Sequence, residues 1–333
     1  MVLISNTSAL MPSTFYLIGI PGLEDLGFLT SISFCILYVF AIVGNSLMVY
    51  IIWTEKNLHG PMFFFLAMLA VNDLAFSSST VPKMLGIFWL NDCGIEASAC
   101  LTQMFFVHFL SVVESGVLAA MAYDRYIAIC SPLRYTSILT YVVLERIAAS
   151  ILVRAFITIF PIPVLVGRLH FCGDDVVLHS YCEHMAVVNV ACGDTRVNSI
   201  YGLVLSLSIT GFDLIFIGLS YTMILRAIFR LQSRDARYKA VGTCGSHICV
   251  IIAAYLPGIF SFVTYRFGQK TIPHGVHIFL ANIYIVFPAF LNPIIYGVKT
   301  KQIRASVWKM LQIAGDRQKL QISIDHTTHS RSS

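Results

Sequence analysis

The sequence MAYDRYIAICSPLRYTSILT, residues 121–140, closes a long apolar run that begins near Cys100. About 20 apolar residues, each rising roughly 1.5 Å, cross the hydrocarbon core of a bilayer, so this run predicts a membrane-spanning helix. Asp124 and Arg125 lie at the C-terminal end of this helix, and Arg134 follows in the loop. The two arginines mark this end as cytoplasmic. Adjacent charges are costly there, so the pair is either an interfacial ion pair that anchors the helix or a functional motif.

The composition is that of a polytopic membrane protein. Of its 333 residues, 57% are hydrophobic and 12% are charged, whereas soluble domains carry about 25% charged residues. The net charge of +5 is modest and its Lys and Arg residues flank the spans, so nucleic-acid binding is not indicated. The first 25 residues show no positively charged region followed by a cleavable apolar one. We therefore expect the first span to act as an uncleaved signal anchor.

Seven apolar segments are long enough to cross a bilayer. They cover residues 27–53, 61–87, 99–129, 141–166, 199–229, 240–266 and 273–296. Lys and Arg concentrate after segments one, three and five and in the tail, which places the N-terminus outside and the C-terminus inside. The sequence thus predicts an all-α, seven-transmembrane helix bundle over 27–298 after an extracellular tail over 1–26. On that tail, Asn6 opens an Asn-Thr-Ser acceptor for N-glycosylation.

The sequence KTKQIRASVWKMLQIAG, which starts at Lys299, alternates apolar and basic residues at helical spacing. Ile303 and Val307 share one face, and Arg304 interrupts them with charge. This pattern is typical of an amphipathic helix that lies on the inner leaflet. We predict this short cytoplasmic helix over 299–314 and a polar cytoplasmic tail over 315–333.

Five cysteines lie on the outer side of the membrane. They are Cys93, Cys100, Cys172, Cys182 and Cys192. Two disulfides and one remaining thiol give fifteen arrangements of this set, and spacing does not choose among them. Their clustering predicts that disulfides hold the loop after segment four as a lid over the bundle. A zinc site is the alternative, but no paired CxxC signature supports it.

Charged residues deep inside the predicted spans each need a partner. Asp73 and Glu114 are at similar depth in segments two and three. They either share a proton or hold a cation such as Na⁺, or they are hydrogen-bonded acids of the core. For Arg154 and Asp213 we expect contacts between helices inside the bundle.

Segments six and seven each contain a proline that interrupts the helical hydrogen bonding. Pro257 removes a backbone hydrogen bond from segment six and predicts a kink that acts as a two-state hinge. Pro293 frees a carbonyl in segment seven, which we expect the side chain of Asn292 to satisfy. Beyond Pro257, on the outer side, Arg266 either snorkels to lipid headgroups or anchors an acidic ligand. His108 would face the same cavity, although a lone histidine is more often a satisfied core residue.

Several longer motifs carry a family resemblance over nearly the whole chain. LHGPMFFFLAMLAVNDL (58–74), MAYDRYIAICSPLRYTSIL (121–139), KAVGTCGSH (239–247) and NPIIYGVKTKQIR (292–304) are the most specific. Together with seven spans, they resemble the odorant (olfactory) receptors among the rhodopsin-like G-protein-coupled receptors. The long second outer loop and SYCEHMAVVNVAC (180–192) resemble the class I, fish-like branch of that family.

The resemblance implies roles for residues at the matching positions. Those implied to hold the inactive state, rearrange on activation and meet the G protein are Asp124, Arg125, Tyr126, Tyr221, His247, Tyr255, Asn292, Pro293 and Tyr296. Asp73 and Glu114 would form a polar site at mid-membrane. The family pattern pairs Cys100 with Cys182 and Cys172 with Cys192, which leaves Cys93 without an assigned partner.

The resemblance also implies a ligand and a partner. A class I odorant receptor in the plasma membrane would bind a small, fatty-acid-like carboxylate from the extracellular side and raise cyclic AMP through a stimulatory G protein. Arg266 would be the counter-ion and His108 a polar group of the pocket, with Phe262 and Met185 in the same site. No cofactor other than the cation above is expected.

Four alternatives stay open at this point. The ligand could be a neutral odorant, and an odorant-type receptor can serve chemosensing outside the nose. An ion-coupled transporter would use Asp73, Glu114 and Asp213, but seven spans do not divide into two matching halves. A membrane enzyme is disfavoured because the sequence shows no nucleophile–base motif and no Gly-rich phosphate loop.

Overall fold

The computed structural model of the chain describes residues 11–20, 27–230, 233–267, 272–310 and 312. Seven helices within these ranges are long and apolar enough to cross a membrane. They are α1 (Gly27–Thr54), α2 (Pro61–Leu90), α3 (Ala97–Cys130), α5 (Tyr141–Ile159) continuing as α6 (Pro161–Val166), α8 (Arg196–Arg230), α9 (Arg234–Phe267) and α10 (His274–Lys299). The predicted all-α, seven-span fold is therefore confirmed.

Shorter helices lie at the two membrane surfaces. They are 3-10 turns at Lys56–Leu58 and Pro132–Arg134, α4 (Tyr135–Ile138), α7 (His184–Val188) and α11 at residues 301–310. Helix α11 matches the predicted amphipathic helix in type, and Ile303 on its apolar side is 1% exposed. Asn6 and the predicted tail over 315–333 lie outside the described residues.

Helix α3 lies at the centre of the bundle and contacts α2, α5, α6, α8 and α9. Its Gly116 faces α5, where an added Cβ would lie 2.9 Å from a methyl group of Ile151 and 3.0 Å from the guanidinium of Arg154. Such distances are shorter than real Cβ contacts, so α3 and α5 can approach this closely only because the residue is glycine.

A three-stranded sheet covers part of the extracellular surface. Strand β1 (Thr14–Leu17) pairs antiparallel with β2 (Gly94–Glu96) and parallel with β3 (Val176–Val177). The side chains of Phe15 and Leu17 are fully buried, and Phe15 packs edge-on against Phe171 at 5.4 Å between ring centroids. The region predicted only as a tail over 1–26 therefore contributes a strand to the extracellular surface.

Two disulfides hold the loop between α6 and α8, residues 167–195, which we call the lid. Cys100 at the outer end of α3 is bonded to Cys182, and Cys172 is bonded to Cys192 within the lid. These are the pairs that the family resemblance implies. Cys93 is a free thiol.

The carbonyl freed by Pro293 is satisfied differently from our expectation. A proline leaves the carbonyl four residues earlier without its helical partner, here Ala289. Asn45 of α1 donates its side-chain amide to this carbonyl at 2.7 Å, whereas Asn292 donates to Asp73. The prediction that Asn292 satisfies the carbonyl was wrong. The partner comes from α1 because Gly44 lets that helix touch the Pro293 ring, as an added Cβ there would lie 2.8 Å away.

Candidate functional site

A cavity of about 530 Å³ lies beneath the lid in the outer half of the bundle. Its walls come from α3, α5, α6, α8, α9 and α10, and the lid contributes Tyr181, Glu183, His184 and Met185. Pockets that bury small organic ligands are commonly about 300–1,000 Å³ and mostly apolar, with a few polar groups that fix orientation. The size and position of this cavity fit that description.

Arg266 lines the outer part of the cavity near the end of α9. One terminal nitrogen, Nη1, donates to the backbone carbonyl of Ser199 at 2.9 Å and to its hydroxyl at 3.1 Å. The guanidinium carbon lies 5.5 Å from the centroid of the Phe262 ring, in a cation–π contact. Nε of Arg266 is buried and has no hydrogen-bond partner. The guanidinium is thus fixed on one side and still has an unpaired donor.

His108 lines the same cavity, and its Nε2 is also buried without a partner. Its ring lies 6.2 Å from that of His184 in the lid, in an edge-on arrangement. Gly202 of α8 makes room for this group, since an added Cβ would lie 2.9 Å from His184 and 3.0 Å from Arg266. Met185 lines the cavity as well. All four predicted ligand residues therefore line one cavity.

Glu183 is a cavity residue that the sequence analysis did not single out. Its Oε2 accepts the backbone N–H of Ala186 at 2.7 Å, which caps the first turn of α7. Burial raises the pKa of this carboxyl to about 7, although the charge of Arg266 opposes the shift. Its position next to Cys182 was a usable signal, because the bridge from Cys182 to α3 holds the adjoining lid residues over the bundle.

A polar cluster at the inner end of the cavity connects four helices. Arg154 of α5 donates two hydrogen bonds to Asp213 of α8, at 2.7 and 2.9 Å. The hydroxyl of Ser115 on α3 donates to Asp213 at 2.5 Å and lies 2.6 Å from the hydroxyl of Tyr255 on α9. The expected contact between helices at Arg154 and Asp213 is thus an ion pair, and it extends to Tyr255.

Asp73 and Glu114 are both buried near mid-membrane, at 1% and 3% exposure. Asp73 accepts a hydrogen bond from Asn292 at 2.8 Å, whereas Oε1 of Glu114 has no hydrogen-bond partner. Among the described residues, no group of three or more His, Cys, Asp or Glu side chains could hold a metal ion. Na⁺ at these two carboxylates stays a prediction.

Hydrogen-bonded pairs occupy the cytoplasmic ends of the helices. Asp124 lies 3.3 Å from the guanidinium of Arg125 and accepts a hydrogen bond from the Tyr135 hydroxyl of α4 at 2.6 Å. Burial and the neighbouring Asp124 charge raise the pKa of Tyr135, so its hydroxyl stays a donor. The ring of Tyr126 packs near Tyr123 at 6.3 Å between centroids. The interfacial ion pair considered for Asp124 and Arg125 is present.

Tyr221, His247 and Tyr296 lie near Arg125 at this end of α3. Tyr255 lies at the inner end of the cavity and Asn292 beside Asp73. The Tyr221 hydroxyl of α8 is 2.8 Å from Nδ1 of His247 on α9, which links those two helices. Tyr296 of α10 is 2% exposed, and its hydroxyl has no hydrogen-bond partner.

These features together define the class of the protein. Seven spanning helices, a disulfide from α3 to the lid, Asp-Arg-Tyr at the inner end of α3 and Asn-Pro-x-x-Tyr in α10 are the features of a rhodopsin-like G-protein-coupled receptor. Residues 34–313 match the family model described as olfactory receptor.

Relatives of this chain are similar over nearly its whole length. Olfactory receptor 52P1 of Homo sapiens is 52% identical over 307 residues, covering 92% of this chain and 95% of that protein. Olfactory receptor 52B2 of Homo sapiens is 52% identical over 303 residues, covering 91% of this chain and 94% of that protein.

The chain belongs to the olfactory receptor family, in its class I branch. It is a multi-pass receptor of the plasma membrane, with its N-terminus outside, that detects odorants and couples to a G protein. It is therefore a receptor and not an enzyme.

Proposed function

We propose that this receptor binds a small aliphatic carboxylic acid in the cavity and signals through a stimulatory G protein, which raises cyclic AMP. The observation that carries the proposal is the pair of unpaired nitrogens, Nε of Arg266 and Nε2 of His108, in one buried cavity. Buried polar atoms without partners are rare, so a ligand atom that accepts hydrogen bonds is the natural complement.

The energetics favour an anion with an apolar tail. A guanidinium binds a carboxylate through charge-assisted hydrogen bonds, which are about twice as strong as neutral ones. The cavity wall below Arg266 includes Val107, Leu203 and Ile259. Each methylene of the ligand buried there contributes about 0.8 kcal/mol. An alcohol of equal length gains the same free energy from burying its methylenes, but it lacks most of the binding energy of the charge-assisted hydrogen bonds to Arg266.

Helix α9 connects the cavity with the cytoplasmic side. Pro257 lies inside α9, between Arg266 at the outer end and His247 toward the inner one. A movement of Arg266 toward a bound anion turns the outer part of α9 about Pro257 and shifts the inner part. The contacts that then change are those of Tyr255 with Ser115 and of His247 with Tyr221. Only an acid that binds the active state more tightly drives this shift.

Signalling in cells tests the carboxylate anchor. Cells that express the receptor are exposed to straight-chain acids and to alcohols of the same length, and cyclic AMP is measured together with surface expression. We expect responses to acids at concentrations at which the alcohols are silent, and loss of these responses in Arg266→Ala. Arg168→Ala, which removes an exposed arginine of the lid, is the matched control and should respond normally. A receptor that responds to alcohols alone would contradict the anchor and favour a neutral odorant.

The class of G protein needs a separate measurement. Purified receptor is mixed with either a stimulatory or an inhibitory heterotrimer, and acid-dependent nucleotide exchange is followed. We expect exchange on the stimulatory protein and little on the inhibitory one. The reverse preference would overturn the cyclic-AMP part of the proposal and leave the ligand part untouched.

A further inference from the structure

Glu183 brings an acid group close to the guanidinium that anchors the proposed ligand. The bridge from Cys100 to Cys182 fixes the preceding residue to α3, and Oε2 of Glu183 accepts the backbone N–H of Ala186 at 2.7 Å. Glu183 and Arg266 both line the cavity, and the charge of each stabilises the charged form of the other. The cavity thus contains a negative group near its cation before any ligand enters.

We propose that Glu183 takes up a proton from the solvent when the carboxylate of the ligand binds at Arg266. The receptor then binds its acid as an anion together with one proton, and the carboxyl group of the lid becomes neutral. This inference rests on the carboxylate anchor proposed above and concerns the proton balance of the same site.

Binding of an anion removes the charge that keeps Glu183 ionised. Burial raises the pKa of Glu183 to about 7, and the charge of Arg266 opposes that rise. A ligand carboxylate on Arg266 offsets the opposing charge and adds a negative charge nearby, and both effects raise the pKa of Glu183 further. Above pH 7, Glu183 is therefore mostly ionised in the free receptor and protonated in the complex.

Other cavity groups with a free site for a proton come from three elements. They are His184 of the lid, His108 and Glu114 of α3, and His277 of α10. The described cavity residues of α5, α6 and α8 carry no ionisable side chain. The cavity tyrosines already hold their proton near neutral pH.

His184 is the histidine placed beside the guanidinium. A Cβ added to Gly202 would lie 2.9 Å from His184 and 3.0 Å from Arg266, so the two side chains are within about 6 Å of each other. Burial, and then the charges of His108 and Arg266, lower the pKa of His184 to about 3. Protonating His184 near pH 7 therefore costs far more than protonating Glu183.

Calorimetry on the purified receptor counts the proton directly. The heat of octanoate binding is measured at about pH 8 in two buffers that differ in ionisation enthalpy, because a proton taken up by the receptor leaves the buffer. We expect about one half to one proton per bound octanoate. The affinity for octanoate should fall as the pH rises from about 7 to 9, by at most about tenfold per pH unit for one proton.

Two variants locate the proton. Glu183→Gln keeps an oxygen that can accept the N–H of Ala186, but it does not titrate. It should bind octanoate with almost no proton uptake and, at about pH 8, more tightly than the unmodified receptor. Asp174→Asn, which removes an exposed acid of the lid, is the matched control and should keep the full uptake.

The outcomes separate the proton from the anchor. Octanoate binding without proton uptake by the unmodified receptor would overturn the inference. Undiminished uptake in Glu183→Gln would do so too, because the proton would then be on octanoate or on a histidine. Weaker binding of octanoate by Glu183→Gln at about pH 8 would also overturn it, since ionised Glu183 would then favour the ligand. Equal affinity of Arg266→Gln and the unmodified receptor for octanoate would contradict the carboxylate anchor itself.

Discussion

The two halves of the bundle leave buried polar atoms unpaired in different surroundings. In the outer half, Nε of Arg266, Nε2 of His108 and Oε1 of Glu114 all belong to residues that line one cavity. In the inner half, the hydroxyl of Tyr296 is also unpaired, but its side chain is 2% exposed and packed between helices.

The difference separates two ways of completing a hydrogen bond. An unpaired atom at a cavity is satisfied when a molecule enters, whereas an unpaired atom packed between helices is satisfied only when the helices move. The outer half therefore has the character of a binding site and the inner half that of a switch. The cluster of Arg154, Asp213, Ser115 and Tyr255 lies where the two halves meet.

Breaking the disulfide of the outer half should have the largest effect. Cys100 and Cys182 are 82 residues apart, and closing a loop of this size contributes about 4–5 kcal/mol in the chain-entropy model. We expect Cys100→Ser or Cys182→Ser to remove most receptor from the cell surface, as measured by antibody binding to an extracellular tag. Cys93→Ser changes a free thiol and is the matched control. Normal surface expression of Cys100→Ser would show that the lid does not depend on this bond.

Breaking the ion pair between Arg154 and Asp213, where the two halves meet, should have the next largest effect on stability. Asp213→Ala leaves Arg154 without its partner inside the membrane, which costs about 3–5 kcal/mol for buried pairs. We expect a large fall in the Tm of the purified receptor in detergent. The double variant Arg154→Met with Asp213→Leu replaces both charges by apolar side chains and should recover most of that Tm. A double variant as unstable as Asp213→Ala would mean that the cluster stabilises through more than the pairing of these two charges.

The sequence predicts the bundle well because hydrophobic length and loop charge decide it. Seven segments, their orientation and the helix at residues 301–310 all follow from the apolar runs and from basic residues at one surface. The disulfide pairs follow only from the family resemblance, since spacing leaves fifteen arrangements.

The finer contacts depend on helix rotation and on the approach of distant segments, which a single sequence does not encode. Asn45 satisfies the carbonyl of Ala289 because Gly44 lets α1 touch α10, and the two residues are 244 positions apart. Phe15 and Leu17 form a strand only because loops near residues 95 and 176 lie beside them. The polar inner end of the cavity likewise needs four helices in their final rotation.

The lid should show a pH dependence of moderate size through Glu183. Its folded-state pKa is raised to about 7 from an ordinary 4.5, so the protonated form is favoured by folding. This stabilisation is full below about pH 4.5 and is lost as the pH rises through 7. We expect the Tm of the unmodified receptor, relative to that of Glu183→Gln, to fall between these pH values.

The lid histidines act in the opposite direction. Burial lowers the pKa of His179 and of His184 to about 3. The stability that each neutral histidine contributes to the fold is therefore lost as the pH falls from 6.5 toward 3. The unmodified receptor and Glu183→Gln both keep these histidines, so the contribution of the histidines cancels in the difference between the two Tm values. A Tm difference that does not change with pH would contradict a buried Glu183.

We expect the smallest effect from removing an exposed ion pair at the cytoplasmic surface. Lys309 of α11 lies 3.2 Å from Glu55, and the lysine side chain is 64% exposed. Exposed ion pairs contribute about 0–1 kcal/mol. We therefore expect Lys309→Ala to leave both the Tm and the maximal cyclic-AMP response within the error of measurement. A clear loss in either would show that α11 is held by this pair more than by its buried apolar side.

Ligand binding to the purified receptor tests the carboxylate anchor most directly. The Tm is measured in detergent with increasing octanoate or octanol, for the unmodified receptor and for Arg266→Gln. A ligand that binds only the folded state raises the Tm in proportion to its occupancy. We expect octanoate to raise the Tm of the unmodified receptor well above the effect of octanol, and to lose this advantage in Arg266→Gln. An equal rise with octanoate in both proteins would contradict the role of Arg266 as the anchor of the ligand.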